Sequence, residues 1–272
     1  MSIRLVGLDL DGTVFNDKKQ ITERTKNAIK DAIKKGIIVM PATGRPRVGL
    51  PDEFLSIDGV RYALICNGAS IIDLSNGKPI YRNCMEHALT LKVLKEIGTV
   101  EGSVELYING EAYSSKESMA QLERFVPSPF IRQYVRDTRI VVDDLIEFYK
   151  NCKNETEKIN LSFGSIEIKE QVLERLSHVE GIVCTSGLVT NIEINKSGAD
   201  KGQALLDFGK SLGIGKEEIM ACGDSSNDLE MIKKVGIGVA MANADPAVIQ
   251  AADRITLSNE EDGVAFALEH FI

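Results

Sequence analysis

The chain is short of positive charge, of paired cysteines and of long apolar runs, and each shortage excludes a class of function. Its 272 residues carry 32 Lys+Arg against 40 Asp+Glu, a net charge of −8. A general nucleic-acid binder needs a basic face, and this balance does not supply one. The same acidity repels anionic substrates, so a phosphate-handling site must gather cations locally. No apolar run approaches the roughly 18 residues that span a bilayer, which argues against a membrane protein. Arg4 is the one basic residue of the N-terminal stretch, and Asp9 and Asp11 interrupt its apolar character, unlike a secretory leader. Five cysteines (66, 84, 152, 184 and 222) are odd in number and contain no C-x-x-C pair. They read as free, mostly buried thiols of a cytoplasmic protein. His87, His178 and His270 lack spaced partners and receive no role.

Several chemistries fail on spacing. No cysteine is followed six positions later by arginine, which excludes cysteine-phosphatase chemistry. Gly209-Lys210-Ser211 resembles the end of a phosphate loop, but Ala204 stands where its first glycine belongs. Gly236-x-Gly238 reaches Met241 in place of a third glycine, and no G-x-S-x-G occurs. Repeats and low-complexity tracts are also missing.

What is present is a globular composition, 43% hydrophobic and 26% charged, long enough for about two domains. Residues 3–8, 36–42 and 62–66 are near-continuous apolar runs, as are 218–223 and 236–241, with a short run at 254–256. Amphipathic segments separate them: one begins at the N-cap Thr22, one spans 200–212, and one starts at Asp245-Pro246. Apolar runs alternating with helices predict a parallel sheet covered on both faces. The middle differs, with strand-like segments at 104–108, 131–135, 158–163, 181–185 and 189–194 and a helix around Val172, Leu173 and Leu176. The reading is a doubly wound, Rossmann-like α/β core at 1–82 and 192–272, with an inserted α+β cap domain at 83–191.

Three apolar runs end in polar residues: Asp9 with Asp11, then Thr43, then Asp224 with Asp228. In an open parallel sheet ligands bind beyond the carboxyl ends of the strands, so these residues are expected to converge. Several carboxylates together need a cation, and an oxygen-only donor set favours Mg²⁺. Lys201 is the local positive charge that the acidic chain otherwise lacks.

Asp9-Leu10-Asp11-Gly12-Thr13 resembles the D-x-D-G-T signature of the haloacid dehalogenase superfamily. Thr43-Gly44-Arg45-Pro46, Lys201-Gly202 and Gly223-Asp224-Ser225-Ser226-Asn227-Asp228 resemble its further motifs in the Cof-type branch, in order and across essentially the whole chain. Asn67-Gly68-Ala69 and 240–244 also resemble that branch, which more often has glycine where Ala242 stands. The resemblance implies that Asp9 is the nucleophile forming an aspartyl-phosphate and that Asp11 is the proton donor and acceptor. It implies Mg²⁺ held by Asp9, the Asp11 backbone carbonyl and Asp224. Leu10, Thr43, Gly44, Lys201 and Asn227 would surround the phosphoryl oxygens, and Asp228 would orient Lys201 or a water on the metal. The implied activity is hydrolysis of a small phosphorylated metabolite such as a sugar phosphate, with hinge motion of the cap domain excluding water.

Blander readings stand beside these. Asp228 is also a favourable first-turn charge for a helix. Arg45 and Arg47 serve equally as leaving-group ligands or solvated loop residues. Arg132, Tyr134 and Arg136 would share one strand face, more in keeping with a solvated surface than a binding one. Rival functions are a phosphotransferase or phosphomutase on the same scaffold, a phosphoacceptor receiver, and a silent phosphate-binding regulator. Receivers lack so large an insertion, and retention of both Asp9 and Asp11 argues against the regulator. Nothing in the sequence marks an assembly surface.

Overall fold

The apolar run Leu5–Leu8 lies inside a five-stranded sheet, between Ile219–Gly223 and Ile38–Pro41, with Ile237–Ala240 and Arg254–Ile255 beyond. All four pairings are parallel. The computed structural model describes residues 2–187 and 189–272. Strands buried on both faces need apolar residues at every position, and all four residues of Leu5–Leu8 are buried. Alternate side chains feed two separate cores. Val6 and Leu8 join Ala28, Ile29 and Ala32 of the helix Glu23–Lys34 and Val264 and Leu268 of the helix Gly263–His270. Leu5 joins Ala204, Leu205 and Phe208 of the helix Lys201–Ser211. Helices on both faces make the doubly wound α/β core. Thr22 caps the first helix as expected, its hydroxyl accepting from the Thr25 amide at 3.1 Å.

The segment Tyr62–Ile65 departs from expectation. It touches the parallel sheet through one bridge, Leu64 to Ala42, and instead heads an antiparallel sheet with Ser70–Asp73 and Lys78–Arg82. Together with the parallel sheet these residues form one unit: 1–44, 50–82 and 200–272.

The second unit comprises Arg45–Gly49 and Asn83–Ala199. Its six strands run in the order Ile182–Thr185, Asn191–Lys196, Lys158–Phe163, Gly102–Ile108, Glu111–Ser115 and Arg139–Val142. The last pair is parallel and the others antiparallel. The expected start of the core at 192 is therefore displaced, because Asn191–Lys196 pairs with two strands of this second sheet. One sheet face is apolar: Leu106, Ile108, Ile159, Leu161, Ile192 and Ile194 pack on Val93, Leu94 and Val172 of two helices. The alternate positions are polar and buried. Arg139 holds Glu105 through two bonds of 3.0 and 2.9 Å, and Lys158 holds Glu193 at 2.7 Å.

Residues 131–135 are not a strand. The helix Pro129–Thr138 covers them, with Ser128 accepting from the Ile131 amide and proline in the first turn. Positions two apart on a helix diverge, so Tyr134 leaves the face that Arg132 and Arg136, four apart, share. Arg132 donates to the Val126 and Pro127 carbonyls, and Arg136 pairs with Glu123. Tyr134 lies under the guanidinium groups of Arg45 and Arg139. Arg45 also donates to the Gly49 carbonyl, and Arg47 pairs with Glu111. Among the described residues no helix is long and apolar enough to cross a membrane.

Candidate active site

Register places the candidate residues at one edge of the parallel sheet. Leu8 is level with Cys222 on one side and Pro41 on the other. The next residues therefore leave the sheet together: Asp9 donates its amide to the Cys222 carbonyl at 3.0 Å, and Ala42 to the Leu8 carbonyl at 2.7 Å. Thr43 follows, buried, its amide on the Leu64 carbonyl and its carbonyl accepting from Asn67. Gly44 and the buried Leu10 continue from these strand ends, and the Leu10 carbonyl accepts the Phe15 amide at 2.9 Å.

Gly12 allows the turn after Asp9. Its φ is +86°, and a Cβ there would overlap the Asp224 carboxylate. Thr13, which sequence reasoning left without a role, donates its hydroxyl to Asp224 Oδ1 at 2.7 Å. Gly68 is the second such position: φ is +95°, and a Cβ would overlap the Asp200 carbonyl just before Lys201. Cys66 and Asn67 precede it with φ of 51° and 58°, three consecutive left-handed residues. Strain of this kind clusters at functional sites. The buried Asn67 accepts from Asn227 Nδ2 at 3.3 Å, tying two strand ends together. Its sequence signals are a polar residue closing an apolar run and the resemblance of Asn67-Gly68-Ala69 to the Cof-type branch, neither of which gives it a role.

Lys201 opens its helix, behind the cap Asp200, which accepts from the Gln203 amide at 2.8 Å. A cation at a helix N-terminus opposes the macrodipole, so helix stability does not explain it. Its ammonium is fully buried, 2.7 Å from Asp9 Oδ1 and 2.6 Å from Asp228 Oδ1. Asp228 Oδ2 accepts from the Asp224 and Ser225 amides at 3.0 and 3.1 Å. Asp228 thus orients Lys201 and closes its own loop.

The electrostatics follow from this crowding. Burial, then the charge of Asp228, pushes the Asp9 carboxyl well above the carboxylate range, with Lys201 opposing. Burial and then Asp228 likewise push Asp224 up to about 6. For Lys201 burial alone would favour the neutral amine, but Asp228 and Asp9 outweigh it and hold the ammonium charged. Oxygens of Asp9, Asp224 and Asp228 lie within 4.8 Å of one another, with no sulfur or nitrogen donor among them. Such a set fits a hard divalent cation. Because both Asp228 oxygens are engaged by Lys201 and two amides, Asp9 and Asp224 are the carboxylates that would hold it. Asp11 lies outside this cluster, its Oδ1 paired with Lys19 at 3.0 Å.

A pH prediction follows for metal-free protein. Asp224 binds its proton more tightly in the folded chain than the ordinary value of 3.8 allows, so its contribution falls as pH rises through about 6. Asp224→Asn removes that penalty while its amide oxygen still accepts from Thr13. After a discount for partial exposure, the variant gains about 2 kcal/mol at pH 7.5, or roughly 5 °C in melting temperature. The gain shrinks as pH falls below about 6 and vanishes only below the ordinary value of 3.8, and Mg²⁺ is expected to stabilise the wild type but not the variant. Thermal melts with and without EDTA read both effects.

The fold and the strand-end site define a known class. The family model of the haloacid dehalogenase-like hydrolases matches residues 6–268, and the chain belongs to that family. Its relatives are phosphatases, and the chain is an enzyme of that kind. A 5-amino-6-(5-phospho-D-ribitylamino)uracil phosphatase of Bacillus subtilis, YitU, is 31% identical over 98% of this chain and 97% of its own. The pyridoxal phosphate phosphatase YbhA of Escherichia coli is 25% identical over the full length of both chains. A solved haloacid dehalogenase-like hydrolase from B. subtilis superposes with a TM-score of 0.85, at 28% identity, over 99% of this chain and all of its own.

Proposed function

We propose that the protein hydrolyses small phosphate monoesters, with Mg²⁺, through a phosphoenzyme at Asp9. The observation carrying this reading is the buried ammonium of Lys201 bridging Asp9 and Asp228, beside Asp224, at the ends of parallel strands. In that arrangement the Asp9 carboxylate attacks phosphorus, and the bond to the leaving oxygen breaks as Asp11 passes it a proton. Water then attacks the phosphoryl group, Asp11 takes up the proton, and phosphate leaves with Asp9 restored. Thr43, Asn227, Lys201 and the Leu10 and Gly44 amides hold the phosphoryl oxygens. A bound Mg²⁺ offsets the repulsion between carboxylate and phosphate and neutralises charge in the transition state.

The substrate class is a phosphorylated small metabolite carrying a sugar, polyol or similar group. The named substrates of the relatives, a phosphoribitylamino-uracil and pyridoxal phosphate, support that scale. Phosphate release from a panel of such metabolites, with Mg²⁺ or with EDTA, tests the reading. Metal-dependent release from one or more members is expected. Folded, metal-supplemented protein that releases no phosphate from any member, or from an aryl phosphate, overturns it.

A further inference from the structure

Eight residues after Asp11, the chain makes a tight turn that holds a residue in the left-handed region. Asn16 donates its amide to the Gln20 carbonyl at 3.1 Å, its side chain accepts the Gln20 amide at 2.9 Å, and its carbonyl accepts from Lys19 at 2.8 Å. Lys19 itself has φ of 59°. Glycine or asparagine occupies such a position with less strain than lysine. The ammonium at the end of that strained residue lies 3.0 Å from Asp11 Oδ1, with the two side chains 37% and 42% exposed. An ion pair so exposed contributes little to stability. The left-handed residue closes this turn, and the turn sets the Lys19 ammonium against Asp11.

We infer that Lys19 is a positioning residue that holds the Asp11 carboxyl in the orientation from which it serves the leaving group. The inference rests on the reading of Asp11 as proton donor. When the bond between phosphorus and the leaving oxygen breaks, its electron pair stays on that oxygen and the Asp11 proton moves there. Asp11 is left as a carboxylate beside the Lys19 ammonium. Loss of Lys19 lets the carboxyl turn away, which matters most for leaving groups that need the proton.

The test compares wild type, Lys19→Gly, Lys19→Asn and Lys19→Arg on phenyl phosphate and p-nitrophenyl phosphate, with saturating Mg²⁺. Nitrophenolate departs without help, whereas phenolate needs protonation. Both uncharged variants are expected to lose about tenfold in kcat/KM on phenyl phosphate but less than about threefold on p-nitrophenyl phosphate. Lys19→Arg restores the ratio between the two esters, and Lys19→Gly melts no lower than wild type because the left-handed strain is gone. Equal losses on both esters, or no loss on either, overturn the inference alone. A wild type that hydrolyses neither ester overturns the phosphatase reading and the inference with it.

Discussion

Asp9→Asn is expected to lower phosphate release by about 10⁴-fold or more, the scale on which loss of a covalent nucleophile registers. The amide keeps the size of the carboxyl, and its oxygen can still accept from the Lys201 ammonium that now lies 2.7 Å from Asp9 Oδ1. It cannot form an acyl phosphate by attack on phosphorus. The variant also sheds a carboxyl whose ionisation is disfavoured by burial and then by Asp228, so its metal-free melting temperature is expected to hold or rise. Lost turnover with retained stability separates chemistry from folding. A variant that keeps a tenth of wild-type turnover would remove Asp9 from the nucleophile's role.

Lys201→Met has the largest expected effect on stability. Methionine matches the length of the stem but leaves the buried Asp9 and Asp228 carboxylates without their shared cation. Breaking a buried pair by removing one partner costs about 3–5 kcal/mol, which corresponds to a fall of roughly 10 °C here. The loss depends on pH with a definite sign. Burial, then Asp228, already holds the Asp9 proton, and without the opposing ammonium Asp9 binds it more tightly still, so stability returns as pH falls and Asp9 becomes neutral. Melts at pH 5 and pH 8 are expected to differ by more in the variant than in wild type, and Mg²⁺ is expected to recover part of the loss. A drop of less than about 2 °C at pH 8 would mean that the three groups are not one electrostatic unit.

The α/β core was legible because strands buried on both faces must be apolar throughout. Runs such as 3–8 and 218–223 announce themselves and end where polarity begins. The convergence of Asp9, Lys201, Asp224 and Asp228 could be anticipated because parallel strands deliver their carboxyl ends to one edge. The second unit was harder to read. In 131–135 the β-branched and aromatic residues resemble a strand, but Ile131, Tyr134 and Val135 stand at helical spacing and pack together, and Ser128 and Pro129 before them start the helix. The strand-like stretch at 189–194 reads as part of the middle segment, but the boundary at 192 cuts through it, and half the side chains of Asn191–Lys196 meet polar partners in the second unit. Asn67 is marked through the family resemblance but given no role, and Lys19 is not marked at all. Their importance lies in left-handed backbone and in contacts to residues distant in sequence or across a turn, and neither leaves a periodic trace. The roles of Arg45 and Arg47 were left open by sequence, and their partners Tyr134 and Glu111 are apparent only from the fold.

The central claim is that phosphoryl transfer passes through Asp9, and the acyl phosphate itself is the most direct witness. Enzyme quenched in acid during turnover of an aryl phosphate, then reduced with borohydride, converts an aspartyl-phosphate to homoserine. Peptide mass spectrometry is expected to place that homoserine at position 9 in wild type and nowhere in Asp9→Asn. Homoserine at another aspartate, or full turnover by Asp9→Asn, would contradict the account.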